Sequence, residues 1–240
     1  MLLIAAVLHQ SATTAQNITN LATTDLTVST DSAWIKINEW ITNPHNTVEV
    51  LPTDSNRARF SLYSSNIDPT SSLAAVIWRT GGMLVDNGWI RVLGSGSLQL
   101  NRSVFDWNKD KLQPKKDSIT YLIVADDVVG GVFALRESEN AKMEDAIVYY
   151  FGANNLTWYS LHINYITFIQ FCFHGNMDRF YGDFRWEGWQ TEVRSINSNQ
   201  TISCYPLLWT KEGKDISLNR KVISVQECWN NYAKVSRSKK

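Results

Sequence analysis

Nothing in the charge balance of this chain singles out a polyanionic partner. Lys plus Arg and Asp plus Glu each number 23 among 240 residues, so the formal net charge is zero. Nucleic acid and anionic membranes both draw on a positive face, and neither is an expected partner. Two local basic clusters exist, Lys109, Lys111, Lys115 and Lys116 in one loop and Arg237, Lys239 and Lys240 at the C-terminal end. No aromatic residues are interleaved with them to stack on bases, so both read as solvated loop and tail. Cysteine is scarce: Cys172, Cys204 and Cys228 match no zinc spacing and do not cluster with the four histidines. An odd total leaves at least one thiol free in a monomer, while pairing of Cys204 with Cys228 stays open, because their separation in space is not written in the sequence. Gly94-Ser95-Gly96 lacks the GK[ST] ending of a phosphate loop, and no G-x-S-x-G nucleophile elbow occurs. No metal and no cofactor are expected.

Long apolar runs are also missing. Met1 to Leu8 is apolar but too short to cross a bilayer, and no later run reaches the length of a transmembrane helix. Small residues at Thr13 and Ala15 have the spacing a signal peptidase needs, so residues 1–15 read as a signal peptide and the protein as exported, periplasmic or in the cell envelope. The usual positive charge before the apolar run is absent. The alternative is therefore a buried N-terminal strand and a cytoplasmic protein.

What is present is a succession of hairpins and helices. Residues 16–30 form a Thr-, Asn- and Ser-rich leader, residues 31–235 a single domain and residues 236–240 a basic tail. Asp31 reads as the N-cap of a helix whose apolar face is Trp34, Ile37, Trp40 and Ile41, stopped by Pro44. Asp54 to Tyr63 and the stretch after Ser71 or Ser72 read as two further helices, the latter ended by an αL turn at Gly81-Gly82. Asn87-Gly88, flanked by Met83–Asp86 and Trp89–Leu93, is the hairpin signal of a two-residue type I′ turn. Ile119 to Leu135 is the centre of the chain: a strand, the acidic and glycine-bearing turn Asp126, Asp127, Gly130 and Gly131, and a second strand. Both arms are apolar at nearly every position, which places them in the middle of a sheet covered on both faces. Ala146–Phe151 with Leu156–Leu161 forms another strand pair, Tyr165–Phe173 an apolar helix, Glu187–Ile196 an amphipathic helix and Ile202–Trp209 a strand. Ser224 and Glu227 match a capping box opening the last helix. Without βαβ alternation or repeats, the whole reads as α+β: one largely antiparallel sheet with helices packed on it.

Few residues point to chemistry. Asp126 and Asp127 are adjacent on a strand end, so their side chains diverge and make a poor acid–base pair; bracing the turn amides is their plainer role. His174 at a helix end, near Asp178, Asp183 and Cys172, reads as a helix cap rather than a catalytic group. Trp89 and Arg91 beside the glycine pair read as a binding rim. Arg185, Trp186, Glu187 and Trp189 read as an interface anchor or a sugar-stacking platform, against the plainer alternative that the tryptophans close the core.

INEWI, VEVLP, TGGMLVDNGWIRVLGSG, LIVADDVVGGVFAL, VYYFGANNLTWYSL, FIQFCFHGNMDRFY, RWEGW and YPLLWT, in that order, resemble the bacterial family known as domain of unknown function 2625, over about Trp34 to Trp229. That resemblance implies no activity. More distantly, VVGGVFAL, AIVYYF, LTWYSL and ITFIQFCF are similar in architecture to the SUKH (Smi/Knr-like) superfamily, which implies an α+β protein-binding module, often an immunity protein. The expectation is a non-enzymatic module that binds another protein. The alternative is an envelope glycan hydrolase working through Asp126 or Asp127 and another carboxylate.

Overall fold

The structure, a computed structural model, describes residues 23–65, 67–109, 121–136, 145–214 and 219–238. Residues 1–15, read from the sequence as a signal peptide, and Lys111, Lys115, Lys116, Lys239 and Lys240 lie outside them.

The chain opens with helix α1 (Thr23–Thr42), strand β1 (Val48–Leu51) and helices α2 (Ser55–Ser64) and α3 (Ser72–Arg79). Helix α1 begins eight residues before Asp31. Ile37 is buried, with Trp34, Trp40 and Ile41 packed beside it, and Asp31 lies inside the helix, ion-paired to Arg79. Asp54 caps α2 and Ser71 caps α3, Ser71 Oγ accepting from the Ala74 amide at 3.1 Å. The end of α3 departs from the αL expectation. Thr80 leaves the helix in an extended conformation, and Gly81 is required by close approach, since a Cβ there would collide with the Pro52 carbonyl.

Seven strands then form one antiparallel sheet in chain order: β1, β2 (Gly82–Val85), β3 (Ile90–Leu93), β4 (Tyr121–Asp127), β5 (Val132–Arg136), β6 (Ile147–Gly152) and β7 (Thr157–Asn164). As the apolar arms predict, β4 is the central strand. Asp126 and Asp127 belong to that strand itself, and the reversal is made by the residues after them. The β2–β3 loop is also wider than a two-residue turn: Val85 pairs with Ile90, and Asp86, Asn87 and Gly88 all have positive φ. Between β3 and β4, helix α4 (Val104–Asn108) carries a capping box of Ser103 and Asp106, and buried Asn108 ties it to β4 by accepting from the Ile123 amide and donating to its carbonyl.

Register assigns the two faces. Glu49, Leu84, Arg91, Asp126, Val132, Phe151 and Trp158 are cross-strand partners in one row across all seven strands. Val50, Met83, Val92, Ala125, Phe133, Tyr150 and Tyr159 form the row beside it, on the opposite face. The second face meets helix α5 (Tyr165–His174), where Phe133 and Phe168 rings lie 4.8 Å apart, and α1 and α3 pack against α5 and each other. Short helix α6 (Met177–Tyr181) and α7 (Trp189–Ser195) lead to a separate hairpin, β8 (Gln200–Tyr205) and β9 (Asn219–Ser224), and to the last helix, α8 (Val225–Ser238). Helix α8 covers the first face at Phe151, whose ring lies 5.5 Å from Trp229 and 5.7 Å from Tyr232. Among the described residues no helix is long and apolar enough to cross a membrane.

Candidate functional site

Three features meet at the β1–β3 end of the first face: an aromatic bracket, a buried ionic row and a groove above it. The bracket is built on Trp89, which is fully buried; its ring lies 5.0 Å from Trp189, 5.4 Å from Tyr181 and 5.7 Å from Trp186. The Arg185 guanidinium sits 4.2 Å from the Trp189 ring and 5.0 Å from that of Trp89, with ion pairs to Asp178 at 2.6 Å and to Asp86. Trp186 donates its indole N–H to Glu192 at 2.7 Å and lies under Arg220, which pairs with Glu192 at 3.1 Å. The effect is mechanical. Rings and charges fasten α7 to the β2–β3 loop on one side and to β9 on the other. Trp89, Arg185, Trp186 and Trp189, which the sequence places in two separate candidate sites, come together in space, but Trp89 and Arg91 are not an exposed rim and Trp186 and Trp189 are not an exposed platform. Their large apolar surfaces are buried against one another; of the group, Glu187 is exposed.

The ionic row lies one strand pair inward. Asp126 on β4 faces Arg91 on β3 at 2.5 Å and is also ion-paired to Arg102, all three side chains being buried. Burial acts to raise the Asp126 carboxyl pKa, and the Arg102 and Arg91 charges outweigh it and hold the group below the usual carboxylate value. Arg91 also donates to the Asp127 carbonyl at 3.0 Å, and Arg102 to the Ser198 carbonyl at 2.9 Å. Asp127, pointing to the other face, accepts from the amides of Gly131 at 2.7 Å and Val129 at 3.1 Å, and from the hydroxyls of Tyr150 at 2.8 Å and Tyr181 at 3.2 Å. Burial raises its pKa, only partly offset by the Tyr150 and Gly131 hydrogen bonds. Neither carboxylate opens on the groove described next.

That groove, about 420 Å³ in volume, lies between the sheet and the α7–β8 connection. Its floor is Leu84 and Arg91 and its sheet-edge wall Thr47, Val48 and Glu49; the far wall is Val193, Arg194, Ile196, Asn197 and Ser198. Its volume falls within the range of about 300–1,000 Å³ usual for ligand sites. The far wall is fixed by turn chemistry: Gln200 donates its amide to the Asn197 carbonyl at 2.8 Å, and the Asn199 amide donates to Asn197 Oδ1 at 2.9 Å. Asn87 Oδ1 accepts from Arg194 Nε at 3.0 Å, joining the β2–β3 loop to that wall.

His174 is exposed at the end of α5. Cys204 and Cys228 are both free thiols lining a small second cavity with Tyr232, and burial pushes each of them up to about 11. Among the described residues, no group of three or more His, Cys, Asp or Glu side chains is placed to hold a metal ion.

The family model described as "Protein of unknown function DUF2625" matches residues 23–228. The chain belongs to that family. It is 36% identical over 198 residues to an uncharacterised protein of Haemophilus influenzae, covering 82% of this chain and 83% of that one. It is 34% identical over 199 residues to the uncharacterised protein YbfG of Escherichia coli, covering 83% of this chain and 89% of that one. Both family relatives are bacterial. The matched span begins with the first residue of α1 and ends in the first turn of α8, so it includes every element that builds the bracket, the ionic row and the groove.

Proposed function

We propose that this protein is a non-enzymatic binding module, exported to the cell envelope, that receives part of another protein in the groove between β1–β3 and the α7–β8 connection. The observation that carries this reading is the groove's construction. Its lining comes from four separate chain segments, and a buried lattice of four aromatic rings and Arg185 holds the far wall in place, so the concavity is preformed rather than made on binding. The glycan-hydrolase alternative is weaker on chemical grounds. Both candidate carboxylates are buried; Asp126 is committed to two guanidiniums and Asp127 to four hydrogen-bond donors, which leaves neither free to move a proton to a substrate.

The test is affinity capture from envelope extract with the wild-type protein and with Ser198→Trp, which fills the groove and leaves the Ser198 carbonyl free to accept from Arg102. One protein retained stoichiometrically by the wild type and lost with Ser198→Trp is the expected result. Equal retention by both baits would sink the groove as the binding surface.

A further inference from the structure

Resting on that reading, we infer that the groove recognises a carboxylate on a short, extended, acidic segment of its protein partner, seated over Arg91 and steered by Arg194. Arg91 and Arg102 share the carboxylate of Asp126, a buried triad with two positive charges to one negative; the next carboxylate, Asp127, is within electrostatic reach of Arg91 but turns to the other face and is held there by four donors of its own. A buried charge left without a counter-ion is unfavourable, and an anion arriving from outside relieves it. Arg102 Nε is buried with no hydrogen-bond partner, which marks the donors of this triad as in excess over its acceptors. Of the three side chains, it is Arg91 that borders the groove.

The rim repeats the sign. Arg194 is exposed on the far wall and held by Asn87 Oδ1, a neutral acceptor that orients the guanidinium without cancelling its charge. Glu49 is the one carboxylate on the lining, at the sheet-edge wall, against the guanidiniums of Arg91 and Arg194. Guanidinium forks match the two oxygens of a carboxylate, and such contacts strengthen where water is displaced. A long polyanion fits less well, because the chain has no net charge to attract it and the groove accommodates only a short segment.

The experiment titrates the full-length protein with three probes: terminally blocked tetraglutamate, terminally blocked tetraglutamine and inorganic phosphate. Binding is followed by calorimetry and amide chemical shifts. Arg91 is too buried to remove safely, so the variants are at exposed positions, Arg194→Gln and Glu49→Gln. Tetraglutamate is expected to bind, to shift the amides of Asn87, Arg194 and Ser198, and to weaken as salt rises; tetraglutamine is not. Arg194→Gln should weaken tetraglutamate several-fold and Glu49→Gln should tighten it. Equal binding of the two peptides, no binding of either, or phosphate binding at the groove more tightly than tetraglutamate, would overturn the inference. The two proposals fail separately: a captured partner lost with Ser198→Trp but held undiminished by Arg194→Gln removes the carboxylate and leaves the binding groove.

Discussion

Asp126 and Asp127 are neighbours with opposite titration behaviour, and their substitution should show it. The lowered pKa of Asp126 means that its contribution to stability is fully present above the usual carboxyl value of 3.8 and fades as the pH falls below it. Asp126→Asn should therefore cost about 3–5 kcal/mol at neutral pH, the cost of stranding two buried arginines, and distinctly less near pH 3. The raised pKa of Asp127 has the reverse sign: its neutral form is favoured in the fold, a contribution present below 3.8 and lost as the pH rises through the folded-state value. The penalty of Asp127→Asn, about 1–3 kcal/mol for a buried group with partners, should shrink from pH 4 to pH 7. Urea denaturation at pH 3, 4 and 7 measures both; parallel pH trends for the two variants would refute the assignment. The buried thiols give a second check at this scale. With Cys204 and Cys228 raised to about 11, iodoacetamide at pH 8 should label them far more slowly in the folded protein than in urea, as read by intact mass. Labelling at equal rates would contradict their burial.

At the scale of elements, the bracket makes α7 depend on residues that do not touch the groove. Trp189→Ala should cost about 3–5 kcal/mol, expose the α7 amides to hydrogen exchange and abolish binding in the groove. Retained protection of α7 would show that the ring lattice does not position it. Elements whose signals are local were legible in the sequence: the helix from Asp54 to Tyr63, the helix after Ser71 or Ser72, the apolar arms of β4 and β5, and the strand pair Ala146–Phe151 with Leu156–Leu161. Strand β9 was not, because in NRKVIS only Ile223 is buried and the alternation that announces a strand is absent. The candidate site was hidden for a different reason. Arg102 meets Asp126 across 24 residues from a polar loop, and Arg91 meets it across 35, so no periodicity records the triad. The tryptophans were legible as a cluster of unusual chemistry, but a large ring beside Arg and Glu reads alike whether it lies on a surface or under one. Burial decides between those readings, and burial is set by the whole sheet.

The whole molecule is a seven-stranded meander with helices α1, α3 and α5 on one face and the β8–β9 hairpin and α8 on the other. Over β4 to β6 this second cover packs directly on the sheet, through Phe151 and through the Val128 carbonyl, which accepts from the Ile202 amide at 2.7 Å. Over β1 to β3 it stands off, and the groove is the gap that results. The proposed binding groove thus lies at a boundary between two layers. The most direct measurement is hydrogen–deuterium exchange on the full-length protein, alone and in complex with the protein it retains from envelope extract. Protection on binding should concentrate at residues 47–49, 87–88 and 193–198. Protection confined instead to the exposed edge of β7 or to α8, with those three segments unchanged, would contradict the groove as the site of binding.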